Sequence, residues 1–262
     1  MSTFRALVGA AAQEAFMYRG RYVVGVLISL VQLSVLYYIW RAVMSGGQHQ
    51  AGYDWPQMQT YLLLSFLLTL MLSYATEYRV SASIRDGSIS MELLKPVHYM
   101  TLRAAELTAA LLVELLSVGL CLAVAVLTLL PAVPPEAGSR VLLALSFLLA
   151  VALKAVIAIT TGILGLWTTN MLGLISCRQA LALLLSGAMF PLQMLPDWLR
   201  TVAYALPFQS SFHTPMMIYF GRVDGEGAAG LVAVQTGWLV LLAGTAGLLL
   251  TLGFRRLDSY GG

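Results

Sequence analysis

Lysine occurs only twice in this chain, at Lys95 and Lys154, and neither stands in a Gly-Lys-Ser/Thr setting. A loop that cradles nucleotide phosphates needs that lysine beside its glycines and hydroxyl. Nucleotide hydrolysis, if it powers this protein, is therefore expected on another polypeptide. Charge of either sign is scarce as well: 10% of the 262 residues are charged against 59% hydrophobic, and the mean hydropathy is +0.82. A soluble domain of this length could not keep such a surface in water, which leaves a single integral membrane domain over 1–262. The two cysteines give no disulfide framework and no metal-ligand spacing. Cys121 lies in an apolar run and Cys177 beside Arg178, and both read as packing residues. His49, His98 and His213 are scattered over loops, and neither Gly-x-Ser-x-Gly nor His-Glu-x-x-His occurs, so no catalytic centre and no metal site is visible. The basic residues flank apolar runs and form no stripe interleaved with aromatics, which argues against a nucleic-acid partner.

What the chain has in abundance is apolar runs of membrane length, about 20 residues each. Six spans are expected, at 22–44, 58–78, 102–130, 141–168, 175–194 and 231–254, all helical and joined by short Gly- or Pro-containing turns. Ahead of them, 1–21 alternates an apolar and a polar stripe at helical spacing and reads as an interfacial helix lying on the membrane. No secretory cleavage pattern opens the sequence, so the first span is expected to remain in the mature protein. Of the fifteen basic residues, Arg5, Arg19, Arg21, Arg79, Arg85, Lys95, Arg103, Arg178, Arg255 and Arg256 fall on one side. Arg41, Arg140, Arg200 and Arg222 fall on the other, and Lys154 lies inside a span. The positive-inside rule makes both termini cytoplasmic. Tyr37, Tyr38, Trp40, Trp55, Trp198, Tyr204 and Tyr219 then fit an external interfacial belt that anchors the protein in lipid.

Two segments carry more than spanning. From Ser186 to Phe208 a membrane helix breaks at membrane depth and the chain stays apolar. Pro191 removes a helix hydrogen bond, Pro196, Asp197 and Trp198 can open a short helix, and Leu206, Pro207 and Phe208 turn the chain again. Irregular backbone at that depth survives only where protein or a wet cavity satisfies its polar groups, so this is expected to be a pore-side or gate-side element. On the cytoplasmic side the longest loop, 79–103, holds Asp86, Gly87 and Ser88, then Ile89 to Lys95, then Pro96. Gly87 permits a turn, Ser88 can cap, and Pro96 ends a helix of about two turns. That helix presents Ile89, Met91, Leu93 and Leu94 among the charges of Arg85, Asp86, Glu92 and Lys95. Such a patch marks either a docking surface or a loop held on lipid headgroups.

Both segments resemble one family. Gly187, Phe190, Pro191, Leu192, Leu195, Pro196, Trp198, Leu199, Leu206, Pro207 and Phe208, followed by Pro215 and Gly221, resemble the last-third signature of ABC-2-type transporter permeases. There it forms a broken fifth helix with an external re-entrant hairpin, here 187–221. The run from Arg85 to Val97 resembles the cytoplasmic loop of a bacterial permease subfamily that reads roughly Gly-x-Ile-x-x-x-Leu-Leu-[Arg/Lys]-Pro. With the six-span layout the resemblance covers nearly the whole chain. It implies a membrane subunit in the bacterial cytoplasmic membrane, working as one of two permeases with two ABC ATP-binding subunits. ATP and Mg would then sit on the partner ATPase, and this chain would hold no cofactor. The segment around Ile89 to Lys95 would be the coupling helix that docks on the ATPase. The hairpin would gate the outer exit, and the cargo would be lipid-like, amphipathic or drug-like. The second permease can be a like or an unlike chain.

Two charges lie deep within spans. Glu114 is about eleven residues into the third, and Lys154 about fourteen residues from the cytoplasmic end of the fourth, so at about 1.5 Å per residue they reach similar depths. An unpaired charge there costs about 2.5–3.5 kcal/mol on insertion scales. The two are expected to pair, either as a structural tie between helices or as a polar feature of the transport path. An ion- or proton-coupled secondary transporter using this pair is the alternative reading.

Overall fold

The computed structural model describes residues 8–9, 19–45, 52–70, 101–102, 105, 108–109, 133–136, 138–168 and 170–258. Among the described residues there are seven α-helices and no strand: α1 (Arg19–Met44), α2 (Trp55–Leu70), α3 (Arg140–Ile163), α4 (Met171–Leu185), α5 (Asp197–Tyr204), α6 (Pro207–Tyr219) and α7 (Gly225–Asp258). Short 3-10 turns follow α3 at Leu164–Leu166 and precede α5 at Leu192–Met194. Local chemistry sets the starts. Asp54 accepts from Gln57 N at 2.9 Å and Gln57 Oε1 accepts from Asp54 N at 3.4 Å, a reciprocal box that opens α2. Ser139 caps α3 through Leu142 N, Asn170 caps α4 through Gly173 N, and Asp224 caps α7 through Gly227 N.

Two described helices are long and apolar enough to cross a membrane, Arg140–Ile163 and the 225–253 part of α7, with mean hydropathies of 2.6 and 1.7. At about 1.5 Å per residue the 24-residue α3 extends about 36 Å, against a hydrocarbon thickness of about 30 Å. Apolar side chains point outward along them: Leu148 is 70% exposed and Val240 68% exposed. Along α1, Val31 is 64% exposed. Lipid, which solvates such surfaces as water cannot, is the environment they fit.

The expected first and fourth spans coincide with α1 and α3 to within a few residues, and α2 covers the start of the second. The last helix begins at Gly225, earlier than expected, because Asp224 supplies a cap there. The fifth span needs a correction. Its helix ends at Leu185, so the break falls at Ser186 and Gly187, ahead of Pro191. Gly187 takes the left-handed conformation, φ 85°, and turns the chain out of the helix. Pro191, at φ −56° and ψ 134°, then leads into the 3-10 turn. Within the interfacial segment 1–21, Val8 and Gly9 are helical and α1 already begins at Arg19. Most of the third span, Glu114, Cys121 and the whole of the loop 79–100 lie outside the described residues.

The helices are sorted around α6. It touches α2, α3, α4, α5 and α7, while α3 and α7 form the most extensive pair. Every residue from Gln209 to Met216 is buried. At one end of the bundle the connections before α2, before α3 and before α7 meet. Val133 N donates to Thr60 Oγ1 at 2.9 Å, Tyr219 OH to Val133 O at 2.7 Å, and Glu136 N to Tyr219 O at 2.9 Å. The Arg222 guanidinium donates to Gly52 O and Gln57 Oε1 and stands 4.6 Å from the Tyr53 ring centre.

Candidate functional site

A broken helix exposes carbonyls that its own ladder no longer uses, and in a membrane each must find a donor. Three carbonyls of the break do so from three different helices. Ser186 O accepts from His213 N of α6 at 3.1 Å. Gly187 O accepts from the Tyr61 hydroxyl of α2. Met189 O accepts from Trp40 Nε1 of α1 at 3.2 Å. Within the turn, Ala188 N donates to Ser186 Oγ at 3.2 Å. The break is thus a protein-satisfied element.

Beyond it the chain folds back on itself. Leu185, Leu192, Leu195 and Ala203 form a small core with Phe190, Leu199, Leu206 and Phe208 against it, so the hairpin carries its own packing. Pro196 is the N-cap of α5 and Pro207 the first residue of α6, where a missing N–H costs nothing. Trp198 stands 70% exposed on α5, in keeping with an interfacial anchor. Of the residues expected in the hairpin, Gly187, Phe190, Pro191 and Leu195 surround the break, Phe208 packs beside them, and Pro196, Trp198 and Pro207 punctuate its rim.

Three expectations from the sequence fail here. Trp40 is only 8% exposed and binds the break, so it is an internal tie and no lipid anchor. His213 lies on a buried helix, 5% exposed, with its ring 5.5 Å from that of Tyr204, and not on a loop. Cys177, expected to pack, is an exposed free thiol on α4.

Lys154 lies on α3. Its ammonium donates to the carbonyls of Leu68 and, at 3.4 Å, Thr69 on α2, and stands 5.5 Å from the Phe212 ring of α6. It therefore links three helices, and its expected partner Glu114 is outside the described residues. At the end of the bundle where the connections meet, a polar cavity of about 400 Å³ is lined by Gly52, Asp54, Gln57, Glu136, Gly221 and Arg222. Burial pushes the Tyr53 phenol up, with the Arg222 guanidinium opposing, so this ring stays neutral across the physiological range. Among the described residues no group of three or more His, Cys, Asp and Glu could hold a metal ion.

Residues 30–261 match the family model described as ABC-2 family transporter protein. No curated protein matches the chain.

Proposed function

The chain belongs to the ABC-2 transporter family, as a membrane permease, and we propose that it is the permease subunit of an ATP-driven exporter with six spans and cytoplasmic ends. The observation that best supports a gating role is the satisfied break at Ser186 to Met189, irregular backbone held by α1, α2 and α6. In this reading a cargo of lipid-like, amphipathic or drug-like character enters from the cytoplasm or inner leaflet between this chain and a second permease. ATP and Mg bind the partner ATPases. Their closure moves the coupling helix formed by Ile89, Met91, Leu93 and Leu94, flanked by Arg85, Asp86, Gly87, Glu92 and Lys95, and the hairpin opens the outer exit. Export from intact cells should stop when ATP is depleted with the ion gradients held; export that continues would favour the secondary transporter.

The orientation has its own test. In a background without Cys121 and Cys177, Ser45→Cys and Gly225→Cys should react with an impermeant thiol reagent added to intact cells, and Ser88→Cys should not. Labelling at position 88 would invert the topology.

The secondary-transporter alternative rests on Glu114 and Lys154. If they form one pair, Glu114→Gln and Lys154→Met each leave a charge without its partner in a low-dielectric layer, and each should lower folded yield. The double variant should recover the part owed to the charges. It should not recover the part owed to the Leu68 and Thr69 carbonyls, which lose the ammonium either way. Single effects that simply add would mean that the two residues do not meet. A stable double variant that still exports would make the pair a tie between helices and remove it from the transport path.

A further inference from the structure

Gln235 of α7 is fully buried, and its side-chain amide spends both N–H groups on other helices. Nε2 donates to Ser146 O of α3 at 3.2 Å and to Ser210 O of α6 at 2.7 Å. A helix carbonyl has a second lone pair to offer, so neither helix is broken by the contact, and a buried amide without such partners would be costly. One residue further along, α6 is weak. Pro215 supplies no N–H to the Ser211 carbonyl, and the Ser211 hydroxyl and Gln235 Oε1 are buried without a hydrogen-bond partner among the described residues. The far end of α6 is fastened again, by Tyr219 to Val133 and by Glu136 to Tyr219. The helix is therefore held at Ser210, at His213, whose N–H donates to Ser186 O, and at Tyr219, and between Ser211 and Pro215 its own ladder lacks one hydrogen bond.

We propose that Gln235 is the positioning residue of the hairpin: it fixes the first turn of α6 to the α3–α7 pair, and α6 bends between Ser211 and Pro215 when the outer exit opens. This rests on the gating role proposed above for the hairpin. With the staple gone, the first turn of α6 is released and the closed arrangement loses two hydrogen bonds. The open-to-closed ratio should rise about tenfold. Restoring the missing N–H at position 215 should act in the opposite sense, because it stiffens the segment that bends.

The test uses the complex of this chain with its ATPase, spin-labelled at Val202→Cys on α5 and Ala229→Cys on α7 after replacement of both native cysteines. The inter-label distance distribution is measured without nucleotide and after trapping with ATP and vanadate. In the parent complex, trapping should shift the distribution. Gln235→Leu should show the shifted population already without nucleotide, and should hydrolyse ATP with less export per ATP. Pro215→Ala should show less of it after trapping, and because this variant adds a hydrogen bond it keeps the test decisive if Gln235→Leu does not accumulate. If trapping shifts the parent and both variants alike, the role given to Gln235 is wrong while the gate stands. If trapping leaves the parent unshifted, the gating role falls, and the role of Gln235 with it.

Discussion

Gly187→Val should lower the folded stability of the protein by about 2–5 kcal/mol, the sum of two costs at one turn. The glycine sits at φ 85°, where an L residue pays about 1–2 kcal/mol and a β-branched one more. A Cβ there would lie 3.1 Å from the Tyr61 hydroxyl oxygen and 3.4 Å from His213 Cβ. The tyrosine would have to leave the Gly187 carbonyl, and a buried polar group without a partner costs about 1–3 kcal/mol. Thermal unfolding of the purified protein in detergent or nanodiscs reads the loss. Tyr61→Phe should show the second cost alone. Gly237→Ala, on an exposed face of α7 with nothing within 4 Å of the added methyl, should be neutral or stabilise by up to about 1 kcal/mol. Equal unfolding temperatures for the valine at 187 and the alanine at 237 would mean that the chain does not leave α4 through a left-handed glycine.

Leu93→Glu combined with Leu94→Glu should release the ATPase from the permease. Burying a leucine contributes about 1.5–3 kcal/mol, so losing two from a docking surface, with two carboxylates in their place, should weaken the complex a thousandfold or more, at about 1.4 kcal/mol per factor of ten. The reading is pull-down of the ATPase by a permease that still elutes as a monodisperse species. Undiminished capture by a folded double variant would move the docking surface elsewhere and leave the loop as a headgroup contact.

How far the sequence spoke for itself differs from residue to residue. Membrane spans read well because their signal, a run of apolar side chains, is local and long. Pro196 and Asp197 opened a helix where expected, since a helix start is written in its own first turn. The fifth span was drawn on to Met194, whereas its helix ends at Leu185, because the position that turns the chain is Gly187, whose left-handed φ leaves no trace in composition. Trp40 and Met189 are 149 positions apart, and an indole near the end of an apolar run looks the same whether it meets lipid or a carbonyl. Helix α6 was the hardest to read. Its Gln209, Ser210, Ser211, His213 and Thr214 suggest a wet loop, yet they are buried because five other helices surround a helix of 13 residues. Gln235 was hidden for the same reason, since one polar residue in an apolar run names no partner.

The most direct test of the account is to purify the tagged full-length chain from its native membrane in mild detergent, identify the stoichiometric partners by mass spectrometry, and assay the complex for Mg-ATP hydrolysis. The account predicts a separate subunit bearing a Gly-x-x-x-x-Gly-Lys-Ser/Thr loop, in equal amount to the permeases, with hydrolysis that disappears in a preparation made from the Leu93→Glu, Leu94→Glu variant. A folded, monodisperse chain that exports its cargo from vesicles under an ion gradient, with no such subunit present and no need of ATP, would contradict it.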